Sequence, residues 1–418
     1  MKILIIGGGG REHALAWRIK QSPLVSQIFC APGNAGIGQD VTNVALQGQA
    51  EVVLFCKKEN IGLVVIGPEV PLIEGLADEL SANQIPVFGP SAIAAQLEGS
   101  KGFTKDLCRK YHIPTAEYER FTEAAPAKAY IQKMGAPIVV KADGLAAGKG
   151  VIVAMDEAEA LSAIDEMLGG KFGDAGASVV VEEFMEGEEV SFFALTDGVN
   201  AVEFGSAQDH KRVGDGDIGP NTGGMGTYTP APVMSDALRK QVMETIIMPT
   251  VNAMAKEGMP YKGVLFAGLM LTKSGPKLLE YNARFGDPET QSLMMRLESD
   301  LVPLLLAVAK GSLGKVDIRF KKQAALCVVM AAKGYPGAYE KGSGIGGLEK
   351  LATMPGVKVF HAGTESKDCK IIATGGRVLG VTALGNTIAE AQKNAYKAVD
   401  ALDWPGGFCR RDIGKKAI

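Results

Sequence analysis

Four short apolar runs in the first ninety residues, each ending in a loop rich in glycine or proline, restrict the fold more than any other feature. Residues 2–6 stop at the glycines 7–10, and residues 11–19 then place apolar side chains on one face of a possible helix. The later runs are residues 27–30, 62–66 and 85–88. Strands that alternate with helix-sized segments form an open parallel sheet, whose ligands lie at the carboxyl ends of the strands. We therefore expect an α/β domain whose loops line one crevice.

Length and charge exclude several classes of protein. A chain of 418 residues has room for several domains of roughly 150 residues each. A net charge of −3 gives no electrostatic footprint for nucleic acid or an anionic membrane. The six cysteines form no CxxC pair, and no apolar run approaches the ~18 residues of a membrane span. We expect a cytoplasmic protein without nucleic-acid or membrane partners.

The texture of the sequence changes near residue 100. A helix is predicted over Lys101–Tyr111, and a long loop of low apolar content is predicted between Gln208 and Pro232. Further predicted strands are residues 137–141, 151–155, 178–183, 190–195, 263–271, 277–281, 325–331 and 377–384. Further predicted helices are residues 235–254, 301–310 and 387–402.

The first glycine run invites a dinucleotide-binding interpretation, which the flanking residues weaken. Glu12 or His13 stands where the third glycine of the fingerprint belongs, and the strand at residues 27–30 ends without a carboxylate for ribose hydroxyls. A strand–glycine–helix turn still directs backbone N–H groups at an anion. With Arg11 beside it, a phosphate monoester is the favoured ligand; a tight turn without any ligand remains the alternative.

A second glycine-rich segment, residues 141–150, fails as a Walker A loop at two positions. Asp143 stands where the first glycine is required, and Gly150 replaces the hydroxyl that would hold magnesium. What remains is a strand-borne lysine, Lys141, followed by a glycine-rich turn. This pattern favours a loop that closes over nucleotide phosphates, and a surface hairpin is the alternative.

Two later segments carry further candidate chemistry. Five carboxylates between Glu182 and Glu189 form either a solvated acidic face or a strand-end hinge that presents groups to adenine and ribose. In the second segment, Glu280 and Asn282 are two apart on a strand and therefore face the same side. Two hard oxygen ligands suit Mg²⁺ when phosphates complete its coordination, and Arg284 then lies near a transferring phosphoryl group.

Nine segments in this order resemble one family. They are GGGGREHAL, APGNAG, IGPEVPL, FGPS with GSK, KADGLAAGKG, VEEFMEGEE, DHKRVGDGDIGPNTGGMG, EYNARFGDPETQ and GGRVLGV with RRDIG. Together they are similar to the glycinamide ribonucleotide synthetase family of the ATP-grasp superfamily. The resemblance extends from Met1 to Gly414.

The resemblance implies an α/β fold class with α+β modules. The implied domains are an N-terminal open parallel α/β domain for phosphoribosylamine (1–100), a linker that begins the ATP-grasp unit (101–122), an ATP-grasp lid (123–190), a central catalytic domain (191–324) and a small C-terminal α+β domain (325–418).

The implied activity is ATP-dependent ligation of glycine to phosphoribosylamine through glycyl phosphate, in de novo purine biosynthesis. The products are glycinamide ribonucleotide, ADP and phosphate, and Mg²⁺ or Mn²⁺ is the implied metal. The implied partners are these small molecules alone, and the implied state is a monomer.

The resemblance also implies roles for single residues. The implied catalytic residues are Lys141, Asp209 and Arg284. Those implied for ATP are Lys101 or Lys105, Lys141, Gly144, Gly148, Lys149, Glu182 (adenine), Glu183, Phe184 and Glu189 (ribose). Those implied for the other substrates are Gly9, Gly10, Arg11, Glu12, Gly33, Asn34, Pro68, Glu69, Asn221, Thr222, Gly223, Gly224 and Arg284. The implied metal ligands are Glu280 and Asn282.

Three rival functions remain open from the residues alone. A related ATP-grasp ligase or carboxylase would share the lid and metal motifs but take another amine or bicarbonate. A non-catalytic nucleotide sensor would have no need of Lys141, Glu280, Asn282 and Arg284 together. An NAD-dependent dehydrogenase is disfavoured by Glu12 and Cys30.

Overall fold

The computed structural model describes residues 1–145, 150–171 and 173–418. Its N-terminal part is a five-stranded parallel sheet in the order β3-β2-β1-β4-β5, as predicted. The strands are β1 (Lys2–Gly7), β2 (Gln27–Pro32), β3 (Thr42–Asn43), β4 (Ile61–Ile66) and β5 (Val87–Phe88). The helices are α1 (Gly10–Ile19), α2 (Ile37–Asp40), α3 (Gly48–Glu59), α4 (Glu69–Ile73) and α5 (Leu76–Ala82). Apolar side chains on both faces of β1 and β4 are buried, which is typical of a parallel sheet covered on both sides.

A second, antiparallel sheet follows two connecting helices, α6 (Gln96–Gly99) and α7 (Lys101–Tyr111). Its order is β6-β9-β7-β8, and it has its own small apolar core. Its elements are β6 (Tyr118–Phe121), α8 (Ala124–Met134), β7 (Ile138–Ala142), β8 (Val151–Ala154), α9 (Glu157–Glu166) and β9 (Val179–Glu183).

The remaining chain forms one continuous sheet of nine strands, a three-stranded sheet and a two-stranded sheet. The elements before residue 320 are β10 (Glu188–Asp197), β11 (Ala201–Asp209), β12 (Arg212–Gly214), β13 (Ile218–Asn221), β14 (Gly226–Thr229), α10 (Asp236–Val242), α11 (Met248–Lys256), β15 (Lys262–Thr272), β16 (Gly275–Asn282), α12 (Glu289–Arg296) and α13 (Leu301–Lys310). Those after it are β17 (Ala324–Ala332), β18 (Gly344–Ile345), α14 (Leu348–Ala352), β19 (Val357–His361), β20 (Thr364–Lys367), β21 (Lys370–Ala373), β22 (Arg377–Gly385), α15 (Ile388–Val399) and β23 (Gly407–Phe408). Among the helices of the described ranges, none is both long and apolar enough to span a bilayer.

The prediction of a long loop between Gln208 and Pro232 is wrong. β11 continues to Asp209, β12 and β13 form a hairpin, and β14 pairs with both β11 and β17. The strand β14 escapes pattern recognition because it is only four residues long and includes two threonines. Their hydroxyls find buried partners, Thr227 with Ser292 and Thr229 with the backbone of Ser206. The predicted helices at 101–111 and 301–310 are confirmed with the same bounds.

A polar cluster joins the N-terminal sheet to β19 of the C-terminal part. The backbone N–H of His361 donates to His13 Nδ1 at 2.7 Å, which leaves the proton of this neutral ring on Nε2, 3.2 Å from Asp40. Lys358 Nζ lies 3.0 Å from the same carboxylate. His13 and His361 are both buried, and burial favours the neutral form of each imidazole. The N-terminal and C-terminal parts of the chain are therefore in contact through two neutral histidines.

Acid destabilises this arrangement. Burial lowers the pKa of His13 and lowers that of His361 to about 3. Burial also lowers the pKa of His210, outside this cluster, to about 4. Histidine in the unfolded chain has a pKa of about 6.5. The unfolded chain therefore binds more protons below about pH 6.5. The contribution of these histidines to the free energy of unfolding is fully present above that pH. As the pH falls further, the free energy of unfolding decreases by at most roughly 1.4 kcal/mol per pH unit for each histidine.

Urea unfolding between about pH 7.5 and about pH 5 measures this slope. His361→Gln reduces the slope, whereas His112→Asn, at an exposed histidine with φ 56°, leaves it unchanged. A stability that does not change across this pH range would contradict the assignment of neutral buried histidines.

Candidate active site

A buried carboxylate shared by two lysines lies where α7, β7 and β9 meet. Glu182 Oε2 is 3.0 Å from Lys105 Nζ and 2.9 Å from Lys141 Nζ, and all three side chains are at least 94% buried. Although burial opposes it, the two ammonium groups hold the pKa of Glu182 below its usual range. The other oxygen, Oε1, has no hydrogen-bond partner in the described part of the chain. The site thus contains a buried acceptor that can take an N–H donor from a ligand.

A small apolar cluster, separate from the large cores, accompanies this acceptor. It consists of Ala116, Met185 and Met270, with Leu279 packed against it. Lys141 Nζ is 3.3 Å from the carbonyl oxygen of Leu279, which connects the cluster to the shared carboxylate. Methionine and leucine side chains beside a buried acceptor suit a flat heteroaromatic base with an amino group.

Asp143, the residue that breaks the Walker pattern, anchors the start of the glycine-rich segment. Its carboxylate accepts hydrogen bonds from Gly102 N at 2.7 Å, Ser100 Oγ at 3.0 Å and Ser178 Oγ at 2.9 Å. Lys101 Nζ donates to the carbonyl of Gly144 at 3.1 Å. The predicted ATP-binding residues Gly148 and Lys149 lie outside the described residues.

Glu280 and Asn282 lie on one face of β16, on either side of the buried Tyr281. Neither side chain has a hydrogen bond or ion pair to another described residue. Positive charges outweigh burial and keep the pKa of Glu280 low; they come from Lys211, Lys141, Lys101 and Arg284. A carboxylate and an amide oxygen free of protein partners match the hard-oxygen donors that Mg²⁺ takes.

Arg284 is held by two carboxylates from the N-terminal half. Its Nε is 3.3 Å from Glu69 and its Nη2 is 3.1 Å from Glu98. Glu98 also accepts the backbone N–H of Ala283 at 2.7 Å. Pro68 precedes α4 as its N-cap residue and so places Glu69 in the first turn of that helix. Sequence reasoning missed Glu98, which stands alone outside any motif.

The loop after β1 is fixed by Glu12. Its carboxylate accepts the backbone N–H of Gly9 at 2.6 Å and Arg11 Nε at 2.5 Å. Arg11 Nη1 also donates to the carbonyl of Phe285 at 3.0 Å. A Cβ at Gly67 would lie 2.0 Å from Glu12, so only glycine fits there. The guanidinium of Arg11 and the carboxylate of Glu12 are therefore both bound to protein groups.

The loop after β2 lies against the loop after β1. Asn34 Nδ2 donates to the carbonyl oxygens of Gly8 at 2.9 Å and His361 at 2.7 Å. A Cβ at Gly8 would be 2.5 Å from the carbonyl of Gly33, whose own φ is +73°. The side chain of Asn34 is occupied within the protein, so backbone groups are what these loops offer to a ligand.

A second group of charges follows β11. Lys211 Nζ is 2.8 Å from Glu189 Oε2. Burial and the neighbouring Glu289 raise the pKa of Asp209. Glu289, itself buried, accepts a hydrogen bond from Ser191 Oγ at 3.1 Å. The raised pKa gives the carboxylate of Asp209 a higher proton affinity than that of an ordinary aspartate, which suits a general base near neutral pH.

The turn at residues 221–224 closes beside Asp209. Thr222 donates to the carbonyl of Lys211 through both N and Oγ1, each at 2.8 Å. A Cβ at Gly224, where φ is +107°, would lie 2.8 Å from Asp209 Oδ1. Arg377 of the C-terminal part donates to the carbonyls of Gly223 and Gly224 and, at 2.7 Å, to that of Asp287.

The structure brings the predicted residues together in two neighbouring groups. Of the residues predicted for ATP and metal, those that the structure describes lie around Glu182 and Glu280. Those predicted for the other substrates lie in the N-terminal loops, in the 221–224 turn and, for Arg284, shortly after β16. Glu183 pairs with Lys277 at 2.8 Å, and Phe184 follows it as a half-buried residue. Residues missed from the sequence are Glu98, Lys211, Asp287, Glu289 and Arg377; all but Glu98 lie in motifs already noticed but were given no role.

Three family models match the chain in succession. They are phosphoribosylglycinamide synthetase N domain at residues 1–98, its ATP-grasp (A) domain at 99–290 and its C domain at 325–416. A phosphoribosylamine–glycine ligase of Agrobacterium fabrum is 60% identical over 100% of this chain and 99% of its own. The chloroplastic phosphoribosylamine–glycine ligase of Arabidopsis thaliana is 59% identical over 98% of this chain and 79% of its own.

Solved structures show the same architecture. The crystal structure of phosphoribosylamine–glycine ligase from Thermotoga maritima has a TM-score of 0.87 at 35% identity, covering 99% of this chain and 100% of that one. A biotin carboxylase domain from Hydrogenobacter thermophilus, solved with magnesium ADP and bicarbonate, has a TM-score of 0.74 at 16% identity, covering 97% and 91%. The second likeness concerns the fold alone.

Removing Glu98 destabilises the protein more than removing Glu69 does. Glu98→Ala leaves Arg284 without its more buried partner and the amide of Ala283 without an acceptor, so the free energy of unfolding falls by about 3 kcal/mol. Glu69→Ala, at a side chain 32% exposed, lowers it by less than about 1 kcal/mol. Urea unfolding measures both, and equal losses would contradict the burial argument.

Proposed function

The chain belongs to the phosphoribosylglycinamide synthetase family, and from that premise we propose how its residues divide the work of the reaction. It is an ATP-dependent ligase of purine biosynthesis that joins glycine to phosphoribosylamine. The observation that carries the division of roles is the unpaired Glu280, ringed by lysines and Arg284 beside the buried acceptor of Glu182.

In our proposal the adenine base binds at Glu182. Its free Oε1 accepts the adenine amino group, while Ala116, Met185 and Met270 contact the ring. Glu183 and Phe184 supply backbone groups at the strand end. Glu189, half exposed beside Lys211, accepts hydrogen bonds from the ribose hydroxyls.

We assign the ATP phosphates to Lys101 and Lys141. Lys105 Nζ is engaged by Glu182 and by Thr115 Oγ1 at 2.7 Å, and its side chain is only 2% exposed, so it has the structural role. Among the described residues, Lys101 Nζ has one hydrogen-bond partner, the carbonyl of Gly144, which a phosphate can replace. The segment 144–150 serves as the cover of the phosphates in this proposal.

Glu280 and Asn282 are the proposed holders of a divalent cation, Mg²⁺ or Mn²⁺. Such an ion supplies charge neutralisation for phosphoryl transfer when it is bound. Glu280 and Asn282 offer it two oxygen ligands without breaking any protein contact. Arg284, oriented by Glu69 and Glu98, also neutralises the negative charge that develops on the transferred phosphoryl group.

Phosphoribosylamine is assigned to the crevice of the N-terminal sheet. In this proposal its phosphate binds at the N-terminus of α1, at Gly10, and Gly9 and Gly33 line the approach. The N–H groups of these two glycines are already bound, to Glu12 and to the carbonyl of Gly7. Arg11 adds positive charge while its guanidinium stays bound to Phe285 and Glu12. Asn34 holds the loop, and Pro68 and Glu69 lie where the ribose would bind.

The chemistry needs no protein nucleophile. A carboxylate oxygen of glycine attacks the γ-phosphorus of ATP, ADP leaves, and glycyl phosphate forms. The amine then attacks the carbonyl carbon, the bond to the phosphate oxygen breaks, and Asp209 takes the proton that the nitrogen loses. The turn 221–224 encloses the intermediate, so catalysis rests on positioning and charge neutralisation.

The finer organisation belongs to the same proposal. The division at residues 100, 122, 190 and 324 describes the functional parts, although β14 pairs across the last boundary. We also propose that the protein is a cytoplasmic monomer and acts on small molecules alone. The net charge of −3 supports the last of these points, because it does not favour nucleic-acid binding.

The direct test is ADP release from ATP and Mg²⁺ with glycine, with and without fresh phosphoribosylamine. We expect ADP only when both are present, with one glycinamide ribonucleotide per ADP. ADP formed with bicarbonate or another amine would contradict the acceptor assignment. A protein that binds ATP but releases no ADP with any pair would be a sensor.

The variant Glu280→Ala distinguishes metal binding from nucleotide binding. Glu280→Ala lowers kcat by at least about a hundredfold because the phosphoryl group loses its neutralising charge. By calorimetry, Mg²⁺ no longer strengthens ADP binding, whereas ADP affinity without Mg²⁺ stays the same. Asn282→Asp keeps an oxygen ligand and retains the Mg²⁺ effect.

Glu203→Ala is the matched control, since this carboxylate lies in the same sheet but pairs with Arg239 away from the site. It leaves both kcat and the Mg²⁺ effect unchanged. Normal turnover of Glu280→Ala at saturating Mg²⁺ would overturn the metal assignment.

A further inference from the structure

The hairpin of β12 and β13 carries site residues at both of its ends but has little support of its own. β12 begins directly after Lys211, and β13 ends at Asn221, the first residue of the 221–224 turn. Only the pairs Arg212–Asn221 and Gly214–Ile218 are in register, and both strands lie outside the nine-stranded sheet. A two-stranded hairpin is at best marginally stable alone. Its position therefore depends on contacts with another part of the chain.

Those contacts come from the C-terminal tail, defined here as residues 410–416. Arg410, whose side chain is 1% exposed, donates through Nη1 to the carbonyl of Arg212 at 2.9 Å and to Asp217 Oδ1 at 2.8 Å. It binds Asp412 through Nε and Nη2, both at 2.7 Å. Asp412 in turn accepts the backbone N–H of Gly216 at 2.8 Å. Both the base and the tip of the hairpin are thus held by one buried guanidinium and its carboxylate.

Two more tail residues reach the hairpin tip. Arg411 N donates to Asp215 Oδ1 at 2.7 Å, and Lys416 Nζ is 2.5 Å from Asp217 Oδ2. The tip needs such partners because Gly216 and Asp217 both have positive φ, 71° and 56°. The side chains of Arg410, Asp412 and Lys416 and the backbone amide of Arg411 therefore contact the three residues of the tip, 215–217.

The tail also contacts the residue between Asp209 and Lys211. Gly414 N donates to His210 Nε2 at 3.3 Å, and His210 Nδ1 is 3.2 Å from the carbonyl of Gly226. The first contact makes Nε2 an acceptor, so the proton of the neutral ring is on Nδ1 and donates to Gly226. One imidazole thus links the tail, the start of the hairpin and the start of β14.

We infer that Arg410 and Asp412 are positioning residues for the ligation step. By fixing the hairpin of β12 and β13, they set the place of Lys211 at one end and of the turn 221–224 at the other. This inference rests on the proposed function, in which that turn and Asp209 enclose glycine and the amine. Within the described residues, the tail makes no hydrogen bond or ion pair with a residue assigned to ATP or the metal. Lys211, next to the hairpin, pairs with Glu189, so we expect the main effect on the acceptor side and a smaller one on ATP.

The test removes one of the tail's contacts with the tip and keeps Arg410 itself, whose bonds to Asp412 and to the carbonyl of Arg212 remain. Asp217→Gly removes the carboxylate that Arg410 and Lys416 share, and glycine tolerates the positive φ at which alanine would be strained. Asp217→Asn keeps an acceptor oxygen for Arg410. Asp400→Ala is the matched control, because it removes the exposed partner of Arg411 but touches no hairpin residue.

We expect Asp217→Gly to raise the KM for glycine or lower kcat by about tenfold or more, with the KM for ATP within about twofold of wild type. The ratio of ADP released to glycinamide ribonucleotide formed rises above one, because a displaced turn admits water to the acyl phosphate. Asp217→Asn restores most of the activity, and Asp400→Ala equals wild type in every measurement.

Two results would overturn the inference. One is an unchanged glycine KM, kcat and ADP ratio in Asp217→Gly. The other is an equal rise in both KM values with a lowered melting temperature, which indicates general destabilisation. Failure of the wild-type protein to make glycinamide ribonucleotide would instead remove the proposed function, and that measurement precedes the variants.

Discussion

The carboxylate of Glu182, shared by Lys105 and Lys141, is the interaction on which the arrangement of the site depends. Taking three charges out of water costs several kcal/mol per ion unless each finds partners. Two ammonium groups around one carboxylate leave a local excess of positive charge and one free acceptor oxygen. In the proposed function a nucleotide supplies what is lacking, namely an amino group for the oxygen and phosphates for the charge. The same residues that connect α7, β7 and β9 therefore favour occupation of the cleft.

Each proposed substrate site lies at a boundary between parts of the chain. Arg284 follows β16 in the central sheet, yet its partners Glu69 and Glu98 belong to the N-terminal third. Arg377, from the C-terminal part, holds the 221–224 turn against Asp287. A ligase that forms a reactive acyl phosphate gains from such construction, because the reacting groups are brought together only when all the parts are in place.

Local pattern was enough to predict the parallel sheet, the helix α7, and Glu280 and Asn282 on one strand face, because alternation and glycine loops act over a few residues. It failed at β14, where four residues with two threonines form a strand only because β11 and β17 provide both neighbours. It also missed Glu98 and gave Arg377 no role, since their partners are distant in sequence, 185 residues away for the Glu98–Ala283 bond. Burial and long-range pairing, which decide these cases, leave no periodic mark in the sequence.

The short strand β14 also determines which parts of the molecule can move. Through its pairing with β11 and β17, the central and C-terminal strands form one hydrogen-bonded sheet, and relative motion of the two would break main-chain bonds on both sides of β14. The four-stranded sheet β6-β9-β7-β8 has no such seam with its neighbours. In the proposed function, opening and closing around a nucleotide belongs to that small sheet, while the central and C-terminal strands stay together as one unit.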